Sequence, residues 1–473
     1  MHALPWTATL ATLLPAAVAQ ADPGELAALA ERYAAYAAKV AASARFVSGR
    51  TLDSVRAQEL APIAPFEQVL APQLRFTVDE AARRVVCTVG GARAEAVATA
   101  NLGCTLVRPD APAEALQKRA APGLADLRVD PASVDWPLGD RLPPQPRDTG
   151  IDRTAVVRAI DAAFAEPAKG PAIHTRAIVV VHRDELVAER YAAGCSADMP
   201  LPGWSMTKTW THALLGRRVQ QGKFDPLAPL PVAEWQAADD PRAQVTCGDL
   251  LAMRGGLRWN ESYASPDSDV LRMLFGSSDH AAVYAQQPAV EPPGTVFCYA
   301  SGATNLLCRV LRGTFASDLE YWAFPRLDLF LPLGMRSAVL ETDPNGTFVG
   351  SSYGFASARD WARFGLLYAH DGVWAGQRLL PAGWIARAAT AGKDGDGDFG
   401  EHLWLNADPD GDGPRQRQWP DVPADLLRCD GHEGQYVLIV PSLELVAVRL
   451  GCTKAGGFDV HGFTRALCAA VAR

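Results

Sequence analysis

The sequence predicts a mixed α/β fold of the α+β type. An antiparallel sheet is assembled from both ends of one large domain, flanked by helices, with a mostly helical subdomain inserted between its strands. Three observations carry this expectation. Residues 177–182 and 186–191 are apolar runs joined by Arg183-Asp184-Glu185, the pattern of two strands and a tight turn. Residues 435–440 and 445–450 repeat that pattern around Pro441-Ser442 near the other end of the chain. Between them, from 225 to 427, most segments carry helical periodicity or turn residues: 247–253, 269–275, 302–312 and 360–370. Hairpins so far apart in sequence reach a common core by joining one sheet.

The remaining elements follow in chain order. Residues 3–19 are apolar or small, and Ala17-Val18-Ala19 forms an A-x-A cleavage pattern, so residues 1–21 read as a secretory signal peptide, although Met1-His2 brings no basic residue. Pro5, Pro15 and the short length argue against a stable membrane span. No cysteine precedes Cys87, which argues against a lipoprotein anchor. The mature protein is therefore expected to be exported, periplasmic or secreted. An N-terminal extension, residues 22–150, begins with an alanine-rich helix over 25–42 and continues with strands at 74–79 and 84–89. It ends in a Pro- and Asp-rich strap from 108 to 152. The main domain then occupies 151–473, opening with a helix at 155–165 and closing with one at 458–471.

With 473 residues, 48% hydrophobic and 21% charged, the chain can bury a large core without covalent staples. A formal net charge of −8 without a long basic run excludes wholesale binding of nucleic acid. Nine cysteines form no C-x-x-C and no Cys/His cluster of zinc spacing, so neither a metal nor another cofactor is expected. In an exported chain Cys87 and Cys104 are the preferred disulfide pair, at the ends of two strand-like stretches around Gly90-Gly91. Cys298 and Cys308 read as small buried apolar side chains. The runs Asp394-Gly395-Asp396-Gly397-Asp398 and Asp408-Pro409-Asp410-Gly411-Asp412-Gly413 imitate the start of calcium loops. Leu405 and Trp419 stand where the closing glutamate belongs, so a solvated Gly/Asp loop is the better reading.

Chemistry concentrates in Trp204-Ser205-Met206-Thr207-Lys208, an S-x-x-K sequence at the start of a helical pattern. Positions i and i+3 share a helix face, so the Ser205 hydroxyl and the Lys208 amine can meet. A hydroxyl becomes nucleophilic when a base takes its proton, and lysine serves as that base when burial lowers its pKa. The motif alone is weak, since a solvated lysine after a helix start is commoner. Further along stand Gly255-Gly256-Leu257, Glu291-Pro292-Pro293-Gly294-Thr295, Tyr299-Ala300-Ser301-Gly302 and Gly431-His432-Glu433-Gly434-Gln435. Singly, Tyr299 suits a core tyrosine and His432 a structural histidine. Trp204, Trp210, Trp259 and Trp404 suit packing before an acyl pocket.

In this order the set resembles the serine β-lactamase and penicillin-recognising superfamily, and within it the class C β-lactamase-related, CubicO-like esterases and amide hydrolases, including those of the 6-aminohexanoate-dimer-hydrolase type. The resemblance spans roughly residues 150 to 473, and Phe46-Val47-Ser48-Gly49-Arg50 with Leu102-Gly103-Cys104-Thr105-Leu106-Val107 resembles the extension of longer members. It implies a β-lactamase/transpeptidase-like fold with Ser205 as acylated nucleophile and Lys208 as its base. Tyr299 would exchange a proton with Ser205 or the leaving group. His432-Glu433-Gly434 would stand in the K-T-G place, with Gly434 leaving room for substrate. The N–H of Gln435, with that of Ser205, would form the oxyanion hole. Ser301 replaces the motif's common asparagine and His432 its lysine; the loss of a fixed positive charge favours neutral small-molecule esters or amides over β-lactams. The expected activity is that of a serine hydrolase working through an acyl-enzyme. The alternatives are a β-lactamase or D-amino-acid peptidase acting on cell-wall material and, in another class, a non-catalytic binding protein with the same cleft.

Overall fold

A run such as residues 177–181, apolar at consecutive positions, suits a strand covered on both faces, and it lies in a strand, Thr175–His182, that is buried throughout. The computed structural model describes residues 23–471 apart from 64, 122–129, 238, 266, 393–397 and 408–416. The expected signal peptide and most of both Gly/Asp runs fall outside the described residues. Among these, no helix is long and apolar enough to cross a membrane, and no group of three or more His, Cys, Asp or Glu side chains is placed to hold a metal ion.

The N-terminal layer begins with helix α1 (Pro23–Phe46) and a four-stranded antiparallel sheet, β1 (Arg75–Asp79), β2 (Arg84–Val89), β3 (Ala92–Thr99) and β4 (Gly103–Leu106), in sequential order. The alanines of α1 explain its position: Ala34, Ala37, Ala38 and Ala41 are fully buried, and their small side chains let the helix lie close on the sheet. Cys87 and Cys104 are both free, buried thiols. The expected disulfide is absent because β3 runs between their strands, with Cys87 opposite Ala94 and Cys104 opposite Ala98. Two strand spacings, about 9–10 Å, already exceed the Cα separation a disulfide spans.

The main sheet is built from both ends of the domain. After α2 (Arg153–Phe164) come β5 (Thr175–His182) and β6 (Glu185–Tyr191), then helices α3 (Thr207–Gln220), α4 (Ser301–Arg312) and α5 (Ala358–Ala369). Strands β7 (Trp404–Leu405), β8 (Leu427–Gly431), β9 (Gln435–Val440) and β10 (Leu445–Gly451) follow, and α6 (Val460–Ala470) closes the chain. The order is β7-β8-β9-β10-β5-β6, antiparallel throughout, with β10 pairing β5. Ile178 and Val180 face α2 and α6 in one apolar cluster, while Val179 and Val181 belong to the larger core that contains α5. Each such fully buried side chain contributes roughly 1.5–3 kcal/mol. Gly365 lets α5 press on the sheet, since a Cβ there would stand 2.6 Å from Val446 Cγ1.

The two regions share that larger core, in which alanines of α1 join residues of the main sheet. Polar ties reinforce it: Arg176 reaches Glu59 at 2.7 Å and Lys454 Nζ donates to the Ala61 carbonyl at 2.7 Å. The strap also lies on the body, with Arg363 donating to the Pro137 and Gly139 carbonyls at 2.6 Å each.

Candidate active site

Ser205 sits in a 3-10 turn, Trp204–Met206, that leads directly into α3. The turn is strained, for Trp204 has φ +48°, a region disfavoured for side chains of its size. Thr207 Oγ1 holds the Trp204 carbonyl at 2.7 Å, and the Gly203 N–H donates to the Gly354 carbonyl at 2.8 Å. Edge-to-face packing of Trp204 on Tyr263 and His432 braces the ring. Strain held by so many contacts is a mark of functional turns.

One helical turn onward, Lys208 is 2% exposed and its Nζ lies 2.9 Å from Ser205 Oγ, 3.0 Å from Ser301 Oγ and 3.1 Å from the Ser351 carbonyl. Burial lowers its pKa to about 8, with the Glu261 carboxylate pulling the other way. The ammonium nitrogen stands 4.8 Å from the Tyr299 ring centroid. The Tyr299 hydroxyl is hydrogen-bonded with Ser205, yet burial first, then Glu261, push its pKa far up. Tyr299 is therefore a neutral phenol at pH 7, and the lysine does not make it a phenolate.

These groups open onto a cleft of about 410 Å³, a size suited to a small molecule. Ser205, Tyr299 and His432 line it, together with Trp404, Glu261 and the β8 residue Asp430. Lys208 and Ser301 lie beneath its floor. His432 stacks on Tyr263 with centroids 4.4 Å apart; the loss of solvent on that face lowers its pKa, Glu433 opposing, so it is uncharged at neutral pH. Arg428 is spent on Asp430 at 2.9 Å and Gln418 at 2.8 Å.

Two expected site residues lie elsewhere. Gly434 has φ +81°, and a Cβ there would stand 2.6 Å from Arg449 Nη1, so it shapes the β8–β9 turn, and it is not among the residues that line the cleft. The Gln435 side chain is buried and bonds the His432, Glu433 and Gly451 carbonyls, and Gln435 is not among the residues that line the cleft. The strand segment that does border the cleft is Asp430-Gly431-His432, three residues earlier. There Gly431 is obligatory: a Cβ would meet the Gly203 carbonyl at 2.2 Å, next to the Ser205 turn. The tryptophans divide similarly. Trp210 is core, stacked on Trp361 at 4.3 Å, whereas Trp404 lines the cleft and stacks on Tyr299 at 5.8 Å.

Glu261 was not legible as a site residue in the sequence. Its Oε2 accepts from Trp259 Nε1 at 2.5 Å and from the Ser301 N–H at 2.9 Å, and the Ser301 hydroxyl donates to its Oε1. The only signal was its nearness to Gly255-Gly256-Leu257, which docks the other flagged loop: the N–H groups of Val290 and Glu291 both donate to the Gly256 carbonyl.

A family model described as Beta-lactamase matches residues 160–469. The chain is 24% identical over 295 residues to the 6-aminohexanoate-dimer hydrolase of Paenarthrobacter ureafaciens, an alignment covering 58% of this chain and 72% of that one. Among solved structures it is similar to a Bacillus anthracis protein provisionally described as a 6-aminohexanoate-dimer hydrolase, with TM-score 0.54 and 20% identity over 70% of this chain and 86% of the other. It is also similar to EstCE1, described as a hydrolase with promiscuous acyltransferase activity, with TM-score 0.51 and 14% identity over 67% and 99%. At such identities the structural likeness speaks for the fold alone. The family model, by contrast, covers both hairpins of the main sheet and every residue of the cleft. The chain is a hydrolase of the β-lactamase fold and belongs to the Beta-lactamase family.

Proposed function

We propose that the protein is a serine hydrolase that cleaves neutral esters or amides through an acyl-enzyme on Ser205. The observation that carries this reading is the 2.9 Å contact between Ser205 Oγ and the buried Lys208 amine, whose pKa near 8 leaves a usable fraction neutral at physiological pH. Ser205 Oγ attacks the carbonyl carbon while its proton passes to Lys208 Nζ. The backbone N–H groups of Ser205 and His432 receive the oxyanion, His432 taking the place first expected of Gln435. As the tetrahedral adduct collapses, the C–O or C–N bond breaks. The leaving group takes the proton back from Lys208 Nζ, while the Tyr299 hydroxyl, hydrogen-bonded with Ser205, stays neutral beside it. Water then repeats the sequence on the ester carbon and frees Ser205.

The charges of the cleft support the substrate class. Glu261 and Asp430 face it, Arg428 is neutralised by Asp430, and His432 is uncharged. A substrate carboxylate, such as a β-lactam carries, finds no free cation among the described lining residues. The aromatic faces of Trp404 and Tyr263 suit an apolar acyl or leaving group. The apolar N-terminal segment favours export to the periplasm or medium.

A fluorophosphonate probe followed by intact-mass analysis tests the nucleophile: the wild type gains one adduct and Ser205→Ala gains none. An identical adduct on Ser205→Ala sinks the proposal. Rates on a short nitrophenyl ester against a chromogenic cephalosporin test the substrate class, and fast cephalosporin turnover would reverse that ranking in favour of a β-lactamase or D-amino-acid peptidase.

A further inference from the structure

A neutral amine has two hydrogens and one lone pair, and only the lone pair can take the Ser205 proton. Which way that lone pair points is decided by the other two neighbours of Lys208 Nζ. The Ser351 carbonyl can only accept, so one N–H goes there at 3.1 Å. Ser301 Oγ, at 3.0 Å, is ambivalent, because a serine hydroxyl both donates and accepts. If it donated to Lys208 it would occupy the lone pair and leave an N–H aimed at Ser205.

Glu261 removes that ambiguity. Trp259 Nε1 and the Ser301 backbone N–H can only donate, and both go to Oε2, at 2.5 and 2.9 Å. Oε1 takes the single hydrogen of Ser301 Oγ. Ser301 must then accept from Lys208, both amine hydrogens are used, and the lone pair faces Ser205 Oγ at 2.9 Å. We infer that Glu261 is a positioning residue that acts through Ser301 to turn the lone pair of Lys208 onto the nucleophile. The inference rests on the proposed roles of Ser205 and Lys208.

The other groups around the amine do not substitute for it. Tyr299 presents its ring face, and His402, held neutral by burial, is turned onto Thr304 Oγ1 at 2.9 Å. Glu261 is also the carboxylate whose charge opposes the burial effect on Lys208.

Glu261→Gln is the discriminating variant. Its amide oxygen must take the Oε2 place to satisfy the two N–H donors, which sets its NH2 against Ser301 Oγ and drives the serine hydrogen toward Lys208. Steady-state rates on a short nitrophenyl ester are expected to show kcat lower by ~10²-fold, the size of losing a general base, with KM nearly unchanged. The rising limb of the pH profile moves to lower pH, because a negative neighbour of Lys208 is gone. In a Ser301→Ala background the same change lowers kcat no further, since the residue it acts through is absent. Ser301→Asn, whose carbonyl accepts from lysine unaided, restores activity to Glu261→Gln.

Multiplying losses for Glu261→Gln and Ser301→Ala, or an unchanged pH limb, would overturn the inference. If Glu261→Gln does not fold, Glu261→Ala with Ser301→Asn is compared with Ser301→Asn alone: equal rates support it, and a further tenfold loss refutes it. Activity surviving in Ser205→Ala is a separate outcome, which strikes the acyl-enzyme reading itself.

Discussion

Two lysines are buried to nearly the same depth in this molecule, Lys39 at 3% and Lys208 at 2% exposure, and they meet opposite surroundings. Lys39, on α1, is paired directly with the Glu341 carboxylate, which also accepts from Ser43 Oγ at 2.9 Å and from the Cys104 N–H at 2.7 Å. Its nitrogen lies 4.0 Å from the Tyr353 ring centroid. Lys208 touches two hydroxyls and a carbonyl, and its carboxylate stands one hydroxyl further away. The direct ion pair joins the N-terminal layer to the body. Moving the partner out by one hydroxyl lets the amine give up its proton near pH 8. Identical side chains thus serve as an ion-pair fastener and as the proposed base, and the placement of one carboxylate separates them.

The comparison breaks most visibly at the base. Lys208→Ala is expected to lower turnover at least ~10²-fold with folding intact, as losing a general base does, measured by ester hydrolysis beside thermal unfolding. An unchanged rate would mean another group activates Ser205. Lys39→Met should reverse the pattern: leaving Glu341 buried and unpaired costs about 3–5 kcal/mol in denaturant unfolding, while kcat per folded molecule stays the same. A loss of kcat matching the loss of Lys208 would end the distinction.

A pH profile sharpens it. Lys208 accepts a proton only when neutral, so kcat/KM on a neutral ester should be low below its pKa and rise with pH through a midpoint near 8. A flat profile from pH 6 to 9 contradicts this. The smallest effects concern two glycines of the β8–β9 hairpin. Gly431→Ala forces a Cβ against the Gly203 carbonyl and should cut kcat, whereas Gly434→Ala strains a turn at φ +81° and should cost about 1–3 kcal/mol of stability with kcat retained.

Those two glycines also mark how far the sequence could be read. Strand periodicity placed both hairpins, because alternation and turn residues are local signals, and pairing β10 with β5 followed from the need of two distant hairpins to share a core. Ser205 and Lys208 were legible for the same reason, being three positions apart on one helix. The hairpin motif Gly431-His432-Glu433-Gly434-Gln435 was recognised as a block, but its residues that line the cleft are Gly431 and His432 rather than Gly434 and Gln435. Which of its N–H groups meets the cleft depends on where Gly203 presses, and no local pattern encodes that contact. The Cys87–Cys104 pairing failed likewise: spacing in the chain was visible, and the strand that runs between them was not.

The sequence by itself determined the elements, the order of the chemical motifs and the pairing of Ser205 with Lys208, the proposed nucleophile and base, all of which rest on periodicities of two and 3.6 and on short spacings. Only the tertiary structure decided the proton chemistry. Glu261 reaches Ser301 across a gap of forty residues, and Glu341 meets Lys39 across 302. Burial and the neighbour of a neighbour set the charge of an amine, and both are properties of the packed chain.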